Sequence, residues 1–134
     1  MHDEAFYAYV DTEAFYKIIS NLTDNAIKYG EKLTEIRLLN DEAKPDFFKI
    51  EVINDGSLIA PELRDKIFEP FFRATEQQIK QGTGIGLSIS KSLAELHDGN
   101  LSATSNDKGQ NIFVLELPIH QLIEFNLNGK WKKQ

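Results

Sequence analysis

The sequence predicts an α/β two-layer sandwich in one domain, a mixed sheet of about five strands packed on about three helices. Two long segments carry apolar residues at helical spacing, and four short segments rich in β-branched and aromatic residues fall into two pairs joined by polar turns. One strand pair lies between the helices and the other follows them. At 134 residues the chain is long enough for one sizeable core and short for two.

The first helix is read over DTEAFYKIISNLTDNAIKY, with Asp11 or Thr12 near its N-cap and Gly30 just past its end. At about 100° per residue, Phe15, Ile18, Ile19, Leu22, Ala26 and Tyr29 share one arc, and Asn21, Asn25 and Lys28 form a polar stripe along its border. Thr34 to Asn40 and Phe47 to Asn54 read as strands joined by the polar NDEAKPD, and NDGS (Asn54 to Ser57) is a turn that ends the second. PELRDKIFEPFF offers a short helix between Pro61 and Pro70, and Ala74 to Gln81 reads as a mobile loop. A second long helix follows GTGIGL and stops at His97-Asp98-Gly99. Leu101 to Ser105 and Ile112 to Pro118 then form a closing hairpin around NDKGQN.

Composition narrows the function classes. A net charge of -6, from 15 basic and 21 acidic residues, leaves no basic footprint for nucleic acid and repels anionic lipid on average. Without cysteine there is no disulfide framework, thiol nucleophile or Cys-based zinc site, which fits a reducing compartment. No apolar run approaches the roughly 20 residues of a membrane span, and MHDEAFYAYV lacks the basic start of a signal peptide. The expectation is a soluble unit with no direct membrane contact.

Two features carry chemistry. Gly82, Gly84 and Gly86 alternate at a loop-to-helix junction, where a backbone free of Cβ atoms brings amides close to an anion and the helix adds its unpaired N–H groups. The same spacing also marks plain turns and tight helix packing. On the first helix, Asn25 offers an amide oxygen, a hard ligand suited to Mg²⁺, and Lys28 can reach a phosphate as a point charge. In isolation that stripe equally describes a solvated helix face.

The motifs together resemble a known family. NLTDNAIKYG is similar to the asparagine box of the ATP-binding domain of sensor histidine kinases. INDGSLIAPELRDKIFEPFFR resembles that family's first glycine box running into its phenylalanine box, and GTGIGLSISKSLAELHDGNL its second glycine box. GQNIFVLELP looks like the strand that ends the domain. The resemblance spans roughly Tyr9 to Pro118 and implies the Bergerat-type fold shared with type II topoisomerases, mismatch-repair ATPases and heat-shock chaperone ATPases. Residues 1–118 are then the catalytic domain, and 119–134 a C-terminal extension or linker.

The resemblance implies Mg-ATP as the bound species and transfer of its γ-phosphoryl group to histidine as the activity. It makes Asn25 the Mg²⁺ ligand, Lys28 a phosphate contact and Asn21 a second polar group near the phosphates. Tyr29 would lie near the adenine or ribose. Asn54, Gly56 and Ile59 would flank the base, and Phe68 would anchor the lid. Gly82, Thr83, Gly84, Ile85, Gly86 and Leu87 would hold the phosphates and hinge the lid, while Arg73 would supply charge to the γ-phosphate. His2, His97 and His120 are the only histidines, and none has the acceptor context of the family. The acceptor is therefore expected on a dimerisation domain N-terminal in a longer parent, with a response regulator or receiver domain downstream. The family resemblance also implies a cytoplasmic location for this domain, with the parent anchored in the inner membrane or free in the cytoplasm.

Two positions depart from the family pattern. Asn54 stands where the family has the adenine-reading acid, and Leu58 replaces its second glycine. Asn21 occupies the place of the water-activating Glu of hydrolytic relatives, and an amide cannot take that proton. A hydrolytic or serine-phosphorylating relative, and a degenerate interaction module that no longer binds nucleotide, are the alternative readings.

Overall fold

The computed structural model describes residues 8, 10–31, 34–72, 86–119, 123–125 and 131–133. Helix α1 (Thr12–Tyr29) begins where Asp11 caps it, its carboxylate accepting the Ala14 N–H at 2.9 Å, and ends as the Gly30 N–H reaches the Ala26 carbonyl. Its buried residues Ala14, Ile18, Leu22 and Ala26 recur every four positions, the inner part of the arc read from the sequence. Helix α2 (Gly86–Leu96) contributes Ser90 and Ala94.

Strands β1 (Thr34–Asn40), β2 (Phe47–Asn54), β3 (Asn100–Ser105) and β4 (Asn111–Pro118) form one sheet in the order β1-β2-β4-β3. The α/β fold class stands. The sheet differs from expectation in having four strands rather than about five among the described residues, and in being antiparallel at every pairing rather than mixed. The cause is connectivity. Each outer pair is a hairpin, and the chain crosses on α2 to enter β3 at the far edge, so β4 comes back against β2. A parallel pair would need a crossover between adjacent strands.

Alternation along the strands builds the core. Phe48, Ile50 and Val52 of β2, Phe113, Leu115 and Leu117 of β4, and Leu101 of β3 turn toward the helices and meet Ile18, Leu22, Ala26 and Ala94. The register pairs Phe48 with Leu117, Ile50 with Leu115 and Val52 with Phe113. Ile67 and Phe68 close the layer, the Phe68 ring meeting Phe113 edge-on at 6.4 Å.

The expected short helix is instead two 3₁₀ turns, Pro61–Leu63 and Lys66–Phe68, held by bonds such as Arg64 N–H to the Pro61 carbonyl and Glu69 N–H to the Lys66 carbonyl. Pro61 has no amide to donate and Pro70 cannot continue a helix, so only short local bonds form around the anchored Ile67 and Phe68. With these turns counted apart, two α-helices stand where about three helices were expected among the described residues.

At the end of α2 the left-handed residue is Asp98, with φ 62°. Gly99 serves a different need, because a Cβ there would run into the Glu116 carbonyl of β4. Beyond Pro118, the Ile119 N–H donates to the Asp46 carbonyl at 2.7 Å, and β5 (Ile123–Phe125) pairs with β6 (Trp131–Lys133) in a separate two-stranded sheet.

Candidate nucleotide-binding site

The C-terminal end of α1, the end of β2 and the start of β4 converge through backbone and amide contacts. Gly56 is buried directly against the Tyr29 carbonyl, and any Cβ at that position would overlap it. The adjoining turn is held by Asn54, whose Oδ1 accepts the Gly56 N–H at 3.0 Å, and by Asp55, whose Oδ1 accepts the Glu31 N–H at 2.8 Å. Asn54 is only 1% exposed.

Opposite Asn54 in the ladder stands Asn111, itself buried. Its Oδ1 accepts the Ile59 N–H at 2.9 Å, and its Nδ2 donates to the Ser57 carbonyl at 2.8 Å and to Asn54 Oδ1 at 3.4 Å. One side chain thereby fixes the loop that carries Ser57, Leu58 and Ile59. Nothing local in the sequence marks Asn111, because its importance depends on the β2–β4 register.

Along α1, Asn21, Asn25 and Lys28 lie one after another on the stripe expected for them. Asn25 is half-buried and Lys28 exposed, and neither side chain has a hydrogen bond or ion pair among the described residues. Asn21 behaves differently. Its Nδ2 donates to the Gly86 carbonyl at 3.2 Å and to Ser90 Oγ at 3.1 Å, while the Ser90 hydroxyl donates to the same carbonyl at 2.9 Å. Asn21 thus ties α1 to the first turn of α2, and the fully buried Ser90 completes the tie. Nothing in the apolar spacing of α2 distinguishes Ser90 from a filler.

Of the other expected site residues, Tyr29 and Gly56 meet at the site and Ile59 sits in the loop held by Asn111. Gly86 opens α2, and Leu87 packs against the core. Phe68 is a buried core residue, as expected of an anchor, with Lys91 Nζ 5.0 Å from its ring centroid. Arg73, Gly82, Thr83, Gly84 and Ile85 lie outside the described residues.

The side chains lining this region are mostly neutral amides, with Lys28 as the cation. That donor set suits a phosphate-bearing ligand with a hard metal ion: an amide oxygen for the metal and an ammonium for phosphate. Asn25, with its amide uncommitted, fits the metal role.

Comparison with known proteins gives the family. Sensor histidine kinase TmoS of Ectopseudomonas mendocina is 38% identical over 115 residues, covering 84% of this chain and 12% of that protein. The adaptive-response sensory kinase SasA of Crocosphaera subtropica is 33% identical over 113 residues, covering 84% and 30%. The catalytic domain of histidine kinase ThkA superposes with a TM-score of 0.67 at 30% identity, over 82% of this chain and 69% of that one. The chain thus spans less than a third of the length of these two curated relatives. Residues 10–121 match the family described as histidine kinase-, DNA gyrase B-, and HSP90-like ATPase, and the chain belongs to that family.

Proposed function

We propose that this chain is the ATP-binding catalytic domain of a sensor histidine kinase, binding Mg-ATP and donating the γ-phosphoryl group to a histidine on a separate dimerisation domain of the same parent. The observation that carries the proposal is the convergence of the Asn54–Gly56 turn on the end of the helix that presents Asn25 and Lys28. Asn25 would hold Mg²⁺, which neutralises phosphate charge when bound. Lys28 would contact phosphate, and Tyr29, Asn54, Gly56 and Ile59 would border the base. Gly82 to Leu87 and Arg73 are assigned to the phosphates by family resemblance.

Phosphoryl transfer to an imidazole needs positioning and charge neutralisation more than a base on this domain. Asn21 fits that division of labour. Its amide cannot accept a proton from water, and its N–H groups are engaged by the Gly86 carbonyl and Ser90. Slow ATP hydrolysis by the isolated chain is therefore expected, and it is the absence of a proton acceptor at Asn21 that argues against the hydrolytic reading. A response regulator or receiver domain would take the phosphate onward. Among the described residues no helix is long and apolar enough to cross a membrane.

Calorimetric titration with Mg-ATP tests the binding step. Binding by the unmodified chain and its loss in Asn25→Ala are expected; equal binding by both would remove Asn25 from the metal site. Adding a phosphoacceptor domain should then produce acid-labile phosphohistidine on that domain. Rapid ATP turnover by the chain alone would instead favour a hydrolytic relative.

A further inference from the structure

We infer that the base pocket discriminates only weakly between adenine and 6-oxopurine nucleotides, because Asn54 turns an amide NH₂, not an acceptor, toward the base. The inference rests on the nucleotide-binding proposal above and concerns which purine that site takes.

The orientation of the Asn54 amide is dictated by its neighbours. The Gly56 N–H can only donate, so the atom 3.0 Å from it must be the oxygen. Asn111 Nδ2 donates to that same oxygen, and Asn111 cannot turn over because its own oxygen holds the Ile59 N–H and its nitrogen the Ser57 carbonyl. Flipping Asn54 would set its NH₂ against two donors in a buried place, leaving the Gly56 N–H without its acceptor and Asn111 Nδ2 with the Ser57 carbonyl alone. The two amides interlock.

What remains is Asn54 Nδ2, which has no partner among the described residues. The one side-chain polar atom there that is both sealed from solvent and unpartnered is Asp41 Oδ2. The small exposure of Asn54 is therefore at its free nitrogen, where a ligand can meet it. A carboxylate in this place would give one oxygen to the Gly56 N–H and keep a second as an acceptor. Asn54 has only a donor left.

Purines differ at the edge such a group reads. Adenine carries a donor at the 6-position and an acceptor at N1; guanine and hypoxanthine carry an acceptor at the 6-position and a donor at N1. An amide NH₂ opposite the 6-position meets O6 well and the 6-amino group badly, whereas a slightly shifted base lets the same NH₂ reach adenine N1. Each purine then finds one partner, and the acceptor that would reject a 6-oxopurine is missing.

The test is calorimetry of the whole chain with Mg²⁺ and ATP, GTP or ITP, on the unmodified protein and on Asn54→Asp. In the unmodified protein ATP and ITP should bind within about tenfold of each other, and Asn54→Asp should shift the ratio toward ATP by about tenfold or more, the worth of one hydrogen bond. A preference for ATP over ITP above about tenfold in the unmodified protein would overturn the inference while leaving nucleotide binding intact. ITP binding with GTP excluded would locate the loss at the 2-amino group and support the reading of the 6-position. If the folded chain, checked by a cooperative thermal melt, bound none of the three, the nucleotide proposal itself would fall and this inference with it. The comparison on the unmodified protein decides the matter even where Asn54→Asp fails to fold.

Discussion

At one end of the β2–β4 ladder Asn54 faces Asn111, and the polar groups that close the layer are neutral amides. At the other end Lys49 faces Glu116, and the buried Asp41 carboxylate lies against Glu116 with Lys44 and Lys49 near by. Both ends also press a glycine against a carbonyl, Gly56 on Tyr29 and Gly99 on Glu116. At the amide end Asn54 and Asn111 satisfy the groups facing them without using a charge, and one Asn54 donor stays open. The acidic end leaves Asp41 Oδ2 without a partner as long as Glu116 is ionised. Neutral amides add no charge that would repel the phosphate-bearing ligand proposed for this end.

The largest effect is expected from the two glycines. Gly56→Ala and Gly99→Ala each force a methyl group into a backbone carbonyl that cannot swing away, at a cost of about 1–3 kcal/mol or more. Urea melts should show both losses. Only Gly56→Ala should also weaken Mg-ATP binding, and a Gly99→Ala protein that lost nucleotide affinity beyond its loss of folded fraction would erase the contrast between the ends.

Next is Asn111→Leu. It strips partners from the Ile59 N–H and the Ser57 carbonyl, each costing about 1–3 kcal/mol if left unpaired. Stability should fall and the loop around Leu58 should exchange its amide hydrogens faster. Unchanged exchange at Ile59 would show that the loop holds itself.

Glu116→Gln tests the acidic end. The hydrogen bond to Asp41, then burial, raises the Glu116 carboxyl above its ordinary value, and the same bond holds Asp41 low. A raised acid contributes stability below its unfolded value and loses it as pH climbs through the folded value. The lowered Asp41 contributes above its unfolded value and loses it as pH falls through the folded one. The pair therefore works best in mildly acidic solution, with one proton shared. Gln carries a permanent donor for Asp41 Oδ2, so the variant should keep its stability as pH rises above the ordinary carboxylate range, where the unmodified protein declines. Parallel urea midpoints for the two proteins across that rise would refute the shared proton.

These contrasts also explain what could be read from the chain. The spans of β1 and β2 and the stripe of Asn21, Asn25 and Lys28 follow from local periodicity, and the two long helices and the four strands of the main sheet stand within about two residues of expectation, whereas the short helix expected between Pro61 and Pro70 gives way to two 3₁₀ turns. The antiparallel order and the pairing of Asn54 with Asn111 do not, because they depend on which distant segment returns beside which. Asp41 sits in NDEAKPD, a stretch that reads as solvated turn. Its burial arises because the Ala43 and Lys44 amides fold back onto its carboxylate and β4 brings Glu116 alongside.

Ser90→Ala is expected to have the smallest effect and bears on a third junction, where α1 meets α2. The hydroxyl accepts from Asn21 and donates to the Gly86 carbonyl, but Asn21 keeps its own bond to that carbonyl when Ser90 is gone. The loss should be about 0.5–1.5 kcal/mol, the net worth of one such bond. Asn21→Ala removes both amide bonds and should cost more, and the double variant should cost less than the sum because the two share a network. Additive losses in that cycle would mean that Asn21 and Ser90 hold the first turn of α2 independently.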